Sequence, residues 1–250
     1  MPAEAGGGGP SRVALITGAA SGIGRAGALA FADDGAAVAA LDVDAAGLAR
    51  TAASLRERGA DVLPLVADVT DLAAIENAVD EVVRRWGRLD AAFNNAGVPG
   101  PYVYLDEYPE EEFLRVIQVD LVGVWRCLRA EIRQMRRQGY GAIVNTSSML
   151  GSAAMPANGA YVAAKHAVEG LTRAAALELG TVGIRVNALA PGVTRTAMTS
   201  AVSDDLLRAV PLHRIAEPEE IAAAAVWLCS PKASYVTGAV LVADGGWLGG

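Results

Sequence analysis

The sequence predicts an α/β protein: one domain built on a doubly wound, seven-stranded parallel sheet with helices on both faces. Two patterns carry this expectation. Short runs rich in Val, Ile, Leu and Ala are apolar on both faces, as strands are when helices cover a sheet from each side. These runs alternate with longer amphipathic stretches, and right-handed crossovers through such helices generate a parallel sheet. The 250 residues, 52% of them hydrophobic, suffice for one large core. No repeat or change of composition marks a second domain.

Residues Met1 to Pro10 are glycine-rich with nothing to bury, so they are expected to form a disordered tail, with order beginning at Ser11. Seven runs then read as strands: RVALIT, AAVAALD, VLPLVAD, LDAAFNNAG, GAIVNTSS, IRVNALAPG and AVLVADGG. The helices between them are expected at Gly22 to Asp34, Asp44 to Arg58, Asp71 to Trp86, Glu110 to Gln138, Ala157 to Leu179 and Glu219 to Cys229. The stretch from Thr194 to Glu217 has no strong period and follows a strand's carboxyl end, where substrate lids tend to lie.

Composition excludes several classes of function. The net charge is −7, and Lys and Arg are scattered rather than clustered, which argues against nucleic acid as a partner. The two cysteines, Cys127 and Cys229, lie in apolar helical patterns and suit buried positions rather than a disulfide framework or a metal site. No signal-peptide pattern and no bilayer-length apolar run is visible, so a cytoplasmic protein without membrane contact is expected.

The first strand runs into TGAASGIG, with Gly18, Gly22 and Gly24 at a strand-to-helix turn. Glycines there allow a tight turn and close backbone approach to a pyrophosphate, and the helix amino terminus supplies unpaired N–H groups and a favourable dipole. Ser21 and Ile23 complete the turn. The second strand ends at Asp42, placed to hydrogen-bond the adenosine ribose and to repel a 2′-phosphate. Neither Ser21 nor Val43 offers a basic side chain to neutralise such a phosphate, so NAD is favoured over NADP.

Further along, GSAAMPANGAYVAAKH sets Tyr161 and Lys165 four residues apart on one helix face. Taken alone, a tyrosine there can simply cover the stem of a lysine. In company with TGAASGIG, Asp68-Val69, NNAG from Asn94 to Gly97, Ser147-Ser148 and PGVTRT from Pro191 to Thr196, the pair resembles the short-chain dehydrogenase/reductase family. The resemblance runs from Arg12 to Trp247 and implies a Rossmann fold. It implies Tyr161 as general acid/base, Lys165 as the group that both favours the phenolate and binds the nicotinamide ribose, and Ser148, rather than Ser147, as holder of the substrate oxygen. It further implies that Asp68 and Val69 contact adenine and that Asn95, Ala96 and Gly97 border the cofactor. The resemblance also places Pro191 and Gly192 at the cofactor and implies that the Val193 backbone and the Thr196 side chain engage the nicotinamide carboxamide. An unperturbed phenol, with a pKa of about 10, is too weak a base at neutral pH, which gives the ammonium its purpose.

One departure stands out. Where the family usually has Asn in a VNLxG segment, this chain has VDLVG with Asp120. In similar proteins that residue's main chain helps hold a water linking the lysine to solvent, and the same backbone role is the favoured expectation for Asp120; the other is a carboxylate beside Lys165. The expected function is hydride transfer between NAD(H) and a secondary alcohol or ketone. The alternatives are a 3-oxoacyl-thioester reductase and a catalytically silent nucleotide-binding protein. Met149, Met155, Met198, Leu206 and Leu207 make the expected substrate walls mostly apolar, which favours an apolar or cyclic substrate. His213, in the lid region, is read either as a substrate contact or as a surface residue. The family also implies a homotetramer, with the helix from Glu110 to Gln138 in an interface.

Overall fold

The computed structural model describes Pro10, residues 12–199 and residues 208–249. The expected tail from Met1, the start at Ser11, and the middle of the expected lid with Leu206 and Leu207 lie outside the described residues, save Pro10. In chain order the main elements are β1 (Val13–Thr17), α1 (Gly22–Asp33), β2 (Ala37–Asp42), α2 (Ala45–Glu57), β3 (Val62–Val66), α3 (Leu72–Trp86) and β4 (Ala91–Asn94). There follow α4 (Glu110–Ile117), α5 (Val124–Gln138), β5 (Gly141–Thr146), α6 (Gly159–Leu179), β6 (Ile184–Pro191), α7 (Pro218–Cys229) and β7 (Val240–Ala243).

Among the described residues the strands form one seven-stranded sheet in the order β3-β2-β1-β4-β5-β6-β7, and each pairing is parallel. The winding reverses at β1, whose Ile16 pairs with Ala40 on one side and Phe93 on the other. The chain leaves β1 and β4 in opposite directions there, opening a crevice at their carboxyl ends.

The continuous apolar character of the strands has a direct cause. Val13 and Leu15 pack into the core beneath α3, α5 and α6, with Ile75, Val82, Met135 and Leu179, whereas Ala14 and Ile16 pack beneath α1, α2 and α7, with Phe31, Leu55 and Leu228. Each strand residue therefore has a core to enter, whichever way it points. The edge strands are the exception: β3 exposes Pro64 and Val66, and β7 is only half-buried. Cys127 and Cys229 are buried and unpaired.

Helix starts follow local chemistry. Asp71 accepts from the N–H groups of Ala73 and Ala74 to open α3, and Pro218 with the reciprocal Glu217–Glu220 box opens α7, one residue before the expected Glu219. Helix α6 begins at Gly159 rather than Ala157, because Ala157 has a φ of 60° and cannot continue a right-handed helix. The expected helix from Glu110 to Gln138 is interrupted: Gln118–Gly123 forms a π-helical turn, and Asp120 lies within it. Such turns insert an extra residue into a helix and often sit at functional sites.

Candidate active site

At the β1–α1 turn, Gly18 and Gly22 have φ of 70° and 51°, left-handed values that favour glycine. Ser21 precedes α1 in an extended conformation, and its side chain does not cap the helix, so the first-turn N–H groups keep no side-chain acceptor. This is the donor set a pyrophosphate needs, and the turn fits a dinucleotide. Asp42 faces it from β2: one carboxylate oxygen accepts from the Ala20 N–H at 2.8 Å and the other from the Asp44 N–H at 2.9 Å. Val43, beside it, is exposed.

Other predicted residues converge on the same crevice. The Thr17 hydroxyl accepts from the N–H groups of Asn95 and Ala96, each at 3.0 Å, tying the NNAG loop to the glycine turn. A Cβ at Gly22 would sit 3.1 Å from the Thr196 methyl, so the segment after β6 reaches across to α1. Pro191 ends β6, Gly192 packs on Asp244, and Val193 is buried. Asp68 is exposed and accepts from Thr70 N–H, while the Val69 side chain turns into the core against Gly123.

Tyr161 and Lys165 share one side of α6, and the Lys165 ammonium lies 5.3 Å from the centre of the Tyr161 ring. The Ser148 hydroxyl accepts from Leu150 N–H at 3.1 Å. Ser147 turns away, into a buried bond with Glu169 at 3.1 Å. The Lys165 ammonium donates to the Thr146 carbonyl at 3.0 Å.

For Asp120 the structure shows the geometry of the second reading, a carboxylate beside Lys165. Its carboxylate is fully buried, with Oδ1 accepting from the Val98 N–H at 2.8 Å and Oδ2 lying 3.5 Å from Lys165 Nζ. The π-helical turn is the physical reason, because it sits where α4 and α5 pass α6 and the NNAG loop. The side chain thereby bridges that loop and the ammonium.

This arrangement changes the expected acidities. Burial pushes the Tyr161 phenol above its ordinary value; Lys165 and the Ser148 hydroxyl pull it down, Asp120 pushes it up, and the balance is upward. Burial would lower the Lys165 ammonium, but the Asp120 carboxylate and Tyr161 outweigh it and raise it. Burial raises Asp120, and Lys165 and Val98 N–H offset this only in part.

Met149, Leu150 and Val193 are buried beside Tyr161, and Met155, Ile215, Trp247 and Leu248 pack against them. This apolar wall includes Trp247 and Leu248, which the sequence reading did not single out. Met198 is exposed, as is His213, which has a φ of 51°. His166 is also exposed, with Nδ1 beside the Val162 carbonyl at 2.9 Å. Thr17, Thr146 and Glu169 were also missed; Glu169 lies one helical turn past Lys165, a spacing that could have drawn attention to it. Among the described residues no cluster of His, Cys, Asp and Glu could hold a metal ion, and no helix is long and apolar enough to cross a membrane.

A family model described as enoyl-(acyl carrier protein) reductase matches residues 18–248. The chain belongs to the short-chain dehydrogenase/reductase family, a class of nicotinamide-dependent oxidoreductases. Among its relatives, the A-factor type gamma-butyrolactone 1'-reductase (1S-forming) of Streptomyces virginiae is 46% identical over 244 residues, covering 94% of this chain and 95% of that one. The cis-4-hydroxycyclohexanecarboxylate dehydrogenase of Sinomonas cyclohexanicum is 42% identical over 240 residues, covering 94% and 96%. The crystal structure of levodione reductase superposes with a TM-score of 0.92 at 40% identity, covering 94% of this chain and 96% of that one.

Proposed function

We propose that this protein is an NAD-preferring oxidoreductase of an apolar, cyclic secondary alcohol or its ketone. The observation that carries the reading is the convergence of Ser148, Tyr161 and Lys165 beside the crevice at the β1–β4 switch point. Bound nicotinamide would supply the hydride acceptor or donor. Gly18, Ser21, Gly22, Ile23 and Gly24 would cradle the pyrophosphate, and Asp42 and Val43 would border the adenosine ribose. Asp68 and Val69 would border adenine. Asn95, Ala96, Gly97 and the segment Pro191, Gly192, Val193 and Thr196 would hold the nicotinamide end. Ser148 orients the substrate oxygen by donating to it, Tyr161 takes or returns the hydroxyl proton, and Lys165 balances the phenolate charge while Asp120 holds the ammonium.

The preference for NAD rests on Asp42, whose charge would repel a 2′-phosphate, with no basic group at Ser21 or Val43. The cyclic substrate class rests on the apolar wall and on what the named relatives act on. Asp42 and the acidic balance disfavour the 3-oxoacyl-thioester alternative, because a carrier-protein partner calls for a basic patch. Four copies are proposed to assemble, with α4 and α5 in an interface; Leu114 and Trp125 there are exposed. Absorbance at the reduced-nicotinamide band, over a panel of cyclic and acyclic alcohols and ketones, tests the function. No turnover on any would favour the silent nucleotide-binding alternative.

A further inference from the structure

The segment from Ser147 to Ser152 carries Ser148 and the wall residue Met149, and its regular structure is limited to one 3-10 turn, Met149–Gly151. Both of its ends are fastened to one carboxylate. Glu169, on α6 and only 3% exposed, accepts through Oε1 from the Ser147 hydroxyl at 3.1 Å and from the Ser152 hydroxyl at 3.1 Å. Its Oε2 accepts from Ser152 at 3.3 Å and from Arg173 Nη2 at 3.1 Å. Gly151 passes directly over this junction, and a Cβ there would collide with the Ser147 hydroxyl and come within 2.5 Å of Glu169 Oε1. The only other acceptor of the Ser147 hydroxyl among the described residues is the Lys165 carbonyl, at 3.4 Å.

We propose that Glu169 is a positioning residue that staples the Ser147–Ser152 segment to α6, and so fixes the distance between the Ser148 hydroxyl and the Tyr161 phenol. The inference rests on the reading of Ser148 and Tyr161 given above. The two groups come from different elements, Ser148 from the loop after β5 and Tyr161 from α6, so a link between those elements sets their separation. A carboxylate is suited to that link because it only accepts, and can take both serine hydroxyls and the arginine at once. Arg173 closes the outer side of the staple from solvent, with its own side chain 56% exposed. Misplacement of a catalytic group by about 1 Å can cost roughly a hundredfold in rate, so such a link has a kinetic consequence.

The experiment compares Glu169→Ala and Glu169→Gln in the parent and in a Ser148→Ala background, reading kcat, KM, the Kd for NAD, and hydrogen exchange of the 147–152 amides without substrate. In Glu169→Ala, exchange over 147–152 should rise by about tenfold or more, and kcat should fall by roughly tenfold to a hundredfold with the NAD Kd within about twofold. Glu169→Gln keeps one oxygen for both serines, so it should retain kcat within about fivefold. In the Ser148→Ala background, Glu169→Ala should cost less than about threefold more, because the group it positions is already gone. Unchanged exchange over 147–152, or an equal loss of kcat with and without Ser148, would overturn the proposal. Should Glu169→Ala not fold, Ser152→Ala releases one end of the segment and is read against the same two criteria. A Tyr161→Phe protein that still turned over would instead sink the reading of the site, and the exchange data would then decide the staple by themselves.

Discussion

Replacing Asp120 by Asn removes a buried negative charge from beside the lysine while changing the side chain's shape very little. Asp120 Oδ2 lies 3.5 Å from Lys165 Nζ, which in turn lies 5.3 Å from the Tyr161 ring centre, so the carboxylate is within about 9 Å of the ring. At an effective dielectric constant of about 20, a unit charge at that distance acts on the phenolate with roughly 2 kcal/mol, or a little over one pKa unit. The sign follows from the charge: the carboxylate opposes ionisation of Tyr161, so its removal favours the phenolate. The rising limb of kcat/KM for alcohol oxidation, measured with saturating NAD, should therefore move about one pH unit toward acid in Asp120→Asn. A single amide oxygen cannot serve both the Val98 N–H and Lys165, so the variant should also lose some rate on the plateau. Superimposable profiles would refute the electrostatic argument. A shift toward alkali would mean that Asp120 acts chiefly by keeping Lys165 protonated.

Four other outcomes are expected. Tyr161→Phe removes the proton carrier and should lower kcat by at least about a hundredfold with little change in the NAD Kd by titration, whereas Lys165→Met should impair both. The parent should give a higher kcat/KM with NAD than with NADP, and Asp42→Ala should narrow that gap by about tenfold or more; a parent preference for NADP would end the argument from Asp42. Glu131, fully buried with one carboxylate oxygen on Asn94 Nδ2 at 2.9 Å, is raised by burial from 4.5 to about 7. Its folded state holds the proton more tightly than the unfolded chain, so stability should be full below pH 4.5 and fall by about 3 kcal/mol as pH rises to 7. Denaturant unfolding of Glu131→Gln should lack that fall. Light scattering should return four chains of 25.6 kDa, and a monomer would refute the proposed assembly.

The parts of the molecule legible in the sequence are those where one local pattern has one physical use. RVALIT and AAVAALD read as strands because both faces of β1 and β2 are buried, and nothing but a covered parallel sheet asks for that. The glycine turn was legible because Gly18 and Gly22 require backbone angles that other residues resist. Tyr161 and Lys165 were legible as neighbours because a helix turn brings residues four apart together. Helix ends were less so: Ala157 adopts a left-handed angle that no local preference announces, and the start of α6 moves accordingly.

What stayed hidden depends on which elements pass one another. Asp120, Glu131 and Glu169 are acidic residues in amphipathic helices, and helical period alone sends such residues to solvent. Each is instead buried, and each meets a partner far away in sequence: Lys165, Asn94 and Ser147. For Asp120 the sequence offers a carboxylate beside Lys165 only as a second reading, since the π-helical turn that carries it is invisible in QVDLVG. A buried charge without its partner is costly, so each of these acids identifies a place where two elements must meet in one geometry. Two of the three, Asp120 and Glu169, meet beside Tyr161 and Lys165, one gripping the ammonium and the other the segment that holds Ser148. On this argument the chemistry resides in a few residues that a motif can show, while their spacing is held by carboxylates whose partners are fixed only once the chain has folded.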